Sequence, residues 1–494
     1  MEADISEKLL SEVQAVEDGE KEVNFKEKLW NETKKMWVIA APAMFTKFST
    51  FGVTVITHSF VGHIGPNELA AYALVSTVLL RFGNGILMGM ASGLETLCGQ
   101  SYGAKQYHML GIYLQRSWIV LTVTTTLLLP LYIFTTPILK ALGQNEEIAK
   151  EAGLISLWLI PVTYSFVASY TCQMFLQAQS KNKIITYLAG CTLAIHISLS
   201  WLLTVKFKFG ITGAMISTIL AYWLPNVGQL MFVMCGGCKE TWKGFTCLAF
   251  KDLWPVIKLS LSSGAMLCLE FWYNSILVLI TGNLKNAMVQ IGALSICLNI
   301  NAWEMMISLG FLAAAWQYNH SFVRVSNELG RGSAKAASFS IWNTATTSFV
   351  IGFILFLFFL FLRGRLSYLF TDSPDVAKEV EKLSPLLAFS ILMNSIQPVL
   401  SGVAVGAGWQ NIVAYVNIGC YYLVGIPVGV VLGYVFKLQV KGVWVGMIFG
   451  TLVQTIVLLI ITLKTDWNKQ VSIAQQRVKR WLVEDKTNDD SQTA

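Results

Sequence analysis

The first group in this chain that could do chemistry is an acid in the middle of an apolar stretch. Glu270 lies in SSGAMLCLEFWYNSILVLITGN, residues 262–283, within a run that opens after Lys251 and Asp252 and lasts to Gly282. At about 1.5 Å of rise per helical residue the run is ~40 Å long, enough to cross a bilayer with a tilt. An ionised carboxylate inside hydrocarbon costs at least ~2.5 kcal/mol, so Glu270 must face a cavity or the bundle interior, pair with another group, or carry a proton. A single acid so placed is a candidate site for a transported proton. The competing reading is a structural glutamate satisfied by neighbouring tyrosine, asparagine or serine groups. Tyr273 and Asn274 follow three and four residues on, hence on the same helical face, and are the first candidates to hold the carboxylate. Trp272, with Phe271 and Tyr273, offers flat ring surface for a solute pocket, although rings in apolar spans more often pack or sit at the membrane interface.

Other polar residues in apolar spans are fewer and less specific. Glu304 in NINAWEMM and Glu95 in GLETLCG fall late in their spans, toward a cytosolic mouth. Lys47 and Arg81 either face an anionic or glycosylated solute in the pathway, or snorkel or form a structural ion pair. His58 and His196 have the intrinsic proton affinity for a relay, but lone histidines on apolar helices are usually hydrogen-bonded structure. The Cys235-Gly-Gly-Cys238 pair has no second pair or nearby histidine to complete a zinc site, so no metal is expected. No G-x-x-x-x-G-K-[ST] phosphate loop occurs, so no nucleotide or other cofactor is expected and a gradient must supply the energy. The spans also lack a convergent nucleophile and base, which argues against an enzyme.

The elements that must position these groups are membrane helices. Only 13% of the 494 residues are charged against 54% hydrophobic, with mean hydropathy +0.56, far from the roughly 25% charge of a soluble chain. The net charge of +7 is spread thinly and carries no basic block, so no nucleic-acid partner is expected; the lipid bilayer is. Apolar spans read at about 37–62, 70–97, 110–138, 152–176, 184–205 and 211–234, then 254–281, 287–315, 336–362, 384–405, 412–435 and 442–463. The expected fold is an all-α polytopic membrane protein of twelve transmembrane helices in two six-helix lobes. The expected organisation is a cytosolic tail 1–36, an N-terminal lobe 37–236, a cytosolic linker 237–253, a C-terminal lobe 254–464 and a cytosolic tail 465–494. An amphipathic lead-in over KEKLWNETKKMW and an amphipathic helix after Thr465 flank the spans.

The two halves look related. Gly213 of FGITGA and Gly442 of LQVKGV are 229 positions apart, and Gly62 and Gly282 are 220 apart. Six spans return the chain to its starting side, so this is a parallel repeat, the kind transporters use to build a central site between bundles. Gly103 of GQSYGA and Gly330 of SNELGRG are 227 apart, which supports about six extra residues, around Trp316 to Phe322, in the second half.

Longer motifs carry a resemblance. GMASGLETLCGQSYGAKQYHMLGIYLQRSW, CQMFLQAQSKN, LCLEFWYNSILVLITGNL and SIQPVLSGVAVGAGWQ resemble the plant multidrug and toxic compound extrusion (MATE) family, also called the DETOXIFICATION family, from about Lys34 to Trp467. The resemblance implies the MATE fold and a proton-coupled antiporter that exports organic solutes and xenobiotics, acting as a monomer. It assigns the coupling proton to Glu270. The family's tenth-helix aspartate corresponds here to Asn394, and Gln397 stands three residues on; with Tyr273 and Asn274 these are the expected supporting groups, and Glu304, Lys47, Arg81 and Trp272 the pathway candidates. The Asn-Ser-Ile-Gln-Pro variant is similar to the branch that moves flavonoid glycosides and proanthocyanidin precursors into vacuoles, so the expected solute is a flavonoid or alkaloid and the expected site the vacuolar or plasma membrane. A passive anion channel on the same scaffold, with Lys47 and Arg81 in its path, is the alternative function.

Overall fold

The structure is a computed structural model that describes residues 45–141, 146–179, 181–281, 293–294, 296–298, 300–301, 322–362 and 374–477. The amphipathic lead-in, Glu304 and the inserted Trp316 to Ser321 lie outside the described residues. The described residues are helical almost throughout: α1 (45–62), α2 (Asn67–Gly103), α3 (Tyr107–Ile133), α4 (Glu146–Ala178), α5 (Lys183–Lys206), α6 (Gly210–Gly237), α7 (Leu253–Thr281), α8 (Phe322–Arg331), α9 (Ala334–Leu362), α10 (Pro374–Ala407), α11 (Gln410–Val435), α12 (Gln439–Lys464) and α13 (467–477). Nine of the described helices are long and apolar enough to cross a membrane. Helices suit that setting because every backbone N–H and C=O is bonded within the segment. The spans begin and end within a few residues of the positions read from hydropathy, but several are longer. Pro66 stands at the entry to α2, where the missing N–H costs nothing, and α10 runs through Pro385.

The internal repeat is visible in the backbone. Lys208 and Lys437, 229 positions apart (437 − 208), both adopt the left-handed conformation, with φ 53° and 56°. Gly210 and Gln439 do the same at φ 56° each, and Lys105 and Gly332 pair at the 227 offset. A left-handed lysine or glutamine is uncommon, so finding each turn twice is a strong signature of duplication. The bonds that close these turns recur as well. Phe209 N–H donates to Leu203 O at 3.0 Å and Leu438 N–H to Leu432 O at 3.1 Å; Gln106 N–H donates to Ser101 O and Ser333 N–H to Glu328 O, both at 2.9 Å.

The apolar cores divide the same way. One cluster of buried side chains runs from Val61 to Val256; three others draw on residues from Met266 to Ala474 and share none with the first. α7 begins against the first cluster through Val256 and continues into the second through Tyr273, so it crosses between the halves.

Close helix crossings rest on glycine. Gly425, Gly429 and Gly433 of α11 face Gly442, Gly446 and Gly450 of α12, and a Cβ built on Gly446 would fall on the backbone of Gly429. These two small-xxx-small ladders let the backbones touch, which is how membrane helices gain packing energy where lipid offers no hydrophobic drive. Gly446→Ala is expected to cost about 1–3 kcal/mol and to lower the thermal unfolding midpoint of the detergent-solubilised protein by several degrees. An unchanged midpoint would mean that the two helices separate without penalty.

At the end of the bundle that carries the C-terminal helix, the halves close on each other. Thr96 Oγ1 of α2 donates to Val405 O of α10 at 2.6 Å, Gln100 Nε2 donates to Gly406 O at 3.2 Å, and Ser326 Oγ of α8 donates to Thr96 O at 3.0 Å. α13 lies across this closure. Its Ala474 is buried among Val325, Leu329, Ala337, Ile341, Val403 and Ala407, and Trp467 packs on Trp409 at 5.5 Å.

Candidate functional site

Glu270 sits in α7, half-buried, where α7, α10, α11 and α12 converge. Its carboxyl group hydrogen-bonds the side chain of Gln397 from α10. Gln397 is buried, and its Nε2 also reaches Ser401 Oγ at 3.1 Å and the Tyr421 hydroxyl of α11 at 3.5 Å. Tyr421 lies within electrostatic reach of Glu270 and is buried. The acid is therefore held by an amide, which can hydrogen-bond it with or without a proton, and that amide in turn reaches the phenol.

Local backbone features explain why those groups meet. Pro398 lies inside α10 and lacks the N–H that would bond Asn394 O, so the helix loosens one residue beyond Gln397 and leaves a carbonyl free of its intrahelical partner. In α11 the α-helix gives way to a π-helical stretch over Ile418–Gly425. The wider turn lets consecutive residues serve one neighbour: Tyr421 stacks on Tyr273 of α7 at 4.3 Å and 10°, while the Tyr422 hydroxyl donates to Leu269 O at 3.0 Å. Short π segments of this kind recur at functional sites. Asn417 adds a further tie, donating to Met266 O at 3.1 Å and accepting from Gln454 Nε2 at 3.1 Å.

Of the supporting groups expected from sequence, Gln397 is in contact with Glu270. Asn394 lies one turn before it, half-buried on the same helix. Tyr273 does not hold the carboxylate. Its ring is buried, and its hydroxyl passes between Gly425 and Gly450 to donate to Met447 O at 2.9 Å, because the two glycines leave a notch in the α11–α12 pair that the phenol fills. Asn274 belongs to α7, and its side chain lies outside the described residues.

The pathway candidates are dispersed. Trp272 is partly exposed and stacks on Phe82 of α2 at 5.6 Å and 3°, with Phe271 packed beside Gly85, so these rings join the two halves rather than enclose Glu270. Lys47 on α1 is exposed and lies within electrostatic reach of Glu95 of α2. Arg81 is exposed at the junction of two segments of α2. His196 is buried in a network with Thr57 Oγ1 at 3.2 Å and Ser217 O at 3.2 Å, the structural role expected of it. Cys238 is buried beside Lys181, whose Nζ donates to Gly237 O at 2.7 Å.

Sequence reasoning missed Tyr421, Ser401 and the Asn417–Gln454 pair. The signal available was a cluster of polar groups in otherwise apolar spans, but α-helical spacing cannot bring Tyr421 and Tyr422 onto one face. Gln397→Met keeps volume and removes the amide. A hydrogen bond to a charged group is worth about 1.5–3 kcal/mol, so pH-gradient-driven flux should fall about tenfold or more at equal membrane expression. Flux equal to the parent's would show that the amide does not act on Glu270.

Comparison with known proteins places this arrangement. The MatE family profile matches residues 42–202 and 263–431. The chain is 67% identical over 462 residues to Protein DETOXIFICATION 21 of Arabidopsis thaliana, covering 94% of this chain and 92% of that protein, and 65% identical over the same length to Protein DETOXIFICATION 22. The crystal structure of the eukaryotic MATE transporter AtDTX14 superposes with a TM-score of 0.81 at 33% identity, over 91% of this chain and 99% of that one. A MATE crystal structure in the bent conformation matches at 0.76 with 15% identity, a likeness of fold alone. These relatives are transporters, not enzymes, and the duplicated helical halves follow the fold they share. The chain belongs to the MATE family of multi-pass membrane transporters, which extrude multidrug and toxic small organic solutes.

Proposed function

We propose that this transporter is a proton-coupled antiporter that exports organic solutes from the cytosol, with Glu270 as the group that takes and releases the proton. The observation that carries the reading is the pairing of Glu270 with Gln397 inside apolar spans, with the Tyr421 hydroxyl on the same amide. A carboxyl group on an amide keeps a hydrogen bond in both protonation states, since the amide can donate to the carboxylate or accept from the acid, so it can cycle between them. Proton loading on the acidic side weakens one set of these bonds and favours another packing of α7, α10 and α11. Pro398 and the π-helical turn in α11 are where those helices can yield.

The solute class proposed is flavonoid glycosides or alkaloids, resting on the Asn394-Ser395-Ile396-Gln397-Pro398 variant of the tenth helix. Vacuolar or plasma-membrane placement, cytosolic termini, the two-lobe boundaries at 236 and 254, a monomeric state and operation without a cofactor belong to the same proposal. The coupling of Lys47 to Glu95 weighs against the anion-channel reading, since Lys47 then does not stand alone in an anion path. Solute uptake by sealed vesicles, with and without an imposed pH gradient, tests the proposal. The expected result is uptake that collapses when the gradient is dissipated; current that follows anion flow without proton exchange would replace the antiporter by the channel.

A further inference from the structure

Two side chains of α11, backed by one of α12, hold the backbone of α7 on the turn that carries Glu270. Asn417 Nδ2 donates to Met266 O at 3.1 Å, the carbonyl toward which the Glu270 N–H points in an α-helix. The Tyr422 hydroxyl donates to Leu269 O at 3.0 Å, the carbonyl of the peptide bond that enters Glu270. Gln454 of α12 stands behind Asn417. Its Nε2 donates to Asn417 Oδ1 at 3.1 Å, which fixes that amide so that Nδ2 points at α7. Asn417 and Gln454 are fully buried, and amides in apolar spans cost more than leucines would unless their bonds are kept, so the tie is not readily released.

The duplication separates what the fold needs from what the acid needs. Features of the fold recur in both halves, as the left-handed turns at Lys208 and Lys437 do. Gly190-Cys191 of α5 and Gly419-Cys420 of α11 keep the same spacing of 229 positions (419 − 190). At that spacing Asn417 corresponds to Leu188 (417 − 229), Tyr422 to Leu193 (422 − 229) and Gln454 to Pro225 (454 − 229), and none of these three side chains can hydrogen-bond. Glu270 corresponds to Thr50 at the 220 spacing of Gly62 and Gly282 (270 − 220), and Thr50 Oγ1 donates within its own helix, to Thr46 O at 2.9 Å. The half without the acid lacks all three groups. They accompany the carboxylate rather than the architecture.

We propose that Asn417, Tyr422 and Gln454 are positioning residues for proton coupling: they fasten α11 and α12 to the turn of α7 that carries Glu270, so that α11 follows when that turn shifts on gain or loss of the proton. The inference rests on Glu270 as the proton carrier. The bond to the Glu270 carboxyl group comes from α10, through Gln397, whereas the bonds to its backbone turn come from α11, so the acid sits between two helices that it can move against each other. The π-helical stretch Ile418–Gly425 starts one residue after Asn417 and contains Tyr422, which puts the start of the yielding segment of α11 between its two points of attachment.

Hydrogen–deuterium exchange of the full chain in lipid nanodiscs tests this without a solute. Exchange is followed over peptides of α7 and α11 at about pH 8, where a carboxyl group is ordinarily ionised, and Glu270→Gln stands in for the proton-loaded acid. Four proteins form a cycle: the parent, Glu270→Gln, Asn417→Leu, which installs the residue of the matching place in the first half, and the two changes together. Glu270→Gln is expected to alter exchange in both α7 and α11 of the parent, by about threefold or more, and to alter α7 alone in the Asn417→Leu background. Tyr422→Phe removes only a hydroxyl and should shrink the α11 response in the same way, so the test does not depend on how the leucine variant folds. An α11 response of equal size in every background would overturn the inference, because a purely structural tie shifts α11 by the same amount whatever stands at 270. A parental response confined to α7 would overturn it as well. No response in either helix of the parent would instead remove Glu270 as the moving part, and the proton-coupling reading and this inference would fall together.

Discussion

Vesicles carrying Glu270→Gln are expected to lose pH-gradient-driven solute uptake to the level of empty vesicles, a fall of at least about tenfold, with the protein folded and present at parental density. The amide has almost the shape of the carboxyl group and can still exchange hydrogen bonds with Gln397, so the packing of α7 against α10 and α11 should survive. What it cannot do is take up and release a proton. Thermal unfolding near the parental midpoint alongside absent coupled flux is the expected pair of results. Glu270→Asp provides the complement. It still titrates, but the chain is one methylene shorter and reaches Gln397 poorly, so reduced yet gradient-dependent uptake is expected. Undiminished antiport by the glutamine variant would remove Glu270 from the mechanism, and with it the proton coupling proposed above.

Much of the architecture was legible because the bilayer imposes a simple rule. A helix that must satisfy its own backbone and face lipid is written as a long apolar run, and the spans around 110–138 and 442–463 correspond to α3 and α12 with ends shifted by a few residues. The duplication was legible from glycines that mark the same turns in both halves. Lys208 and Lys437 show why it was only partly so: their shared left-handed backbone leaves no residue-type signature, since lysine is not what such a turn prefers. Glu270 stood out because a charge in hydrocarbon has few explanations. Its surroundings did not. The π-helical turn that aims Tyr421 depends on how α11 packs against α7, and Tyr273 was assigned to the acid by spacing on its own helix, when Gly425 and Gly450 on two other helices draw its hydroxyl away. The glycine ladders of α11 and α12 were open to reading as small-xxx-small motifs, but which ladder meets which is a tertiary fact.

The same duplication leads to a second large effect. Gly103 and Gly330, equivalent positions of the two halves, meet at the closed end in a reciprocal contact. A Cβ on Gly103 would fall on the carbonyl oxygen of Asn327, and a Cβ on Gly330 on the carbonyl oxygen of Gln100; Gln100 and Asn327 are themselves 227 positions apart (327 − 100). This is the self-complementary pattern of a two-fold interface, here between α2 and α8 of one chain. The obstructing atoms are backbone on both sides and cannot turn aside as a side chain would, so an added methyl must push the helices apart. At about 1–3 kcal/mol for such overpacking, Gly103→Ala or Gly330→Ala should each weaken the closed end enough to lower transport about tenfold at equal expression. The double variant should be little worse than either single one, because once the helices have separated the second methyl meets no new obstacle. Separation has its own readout: a cysteine introduced at the buried Ser326 should react with a water-soluble thiol reagent faster in either glycine variant than in the parent. Parental flux and parental labelling in both single variants would show that this contact does not govern closure, whereas a double variant whose loss is the sum of the two singles would show that the two glycines act as separate contacts rather than as one interface.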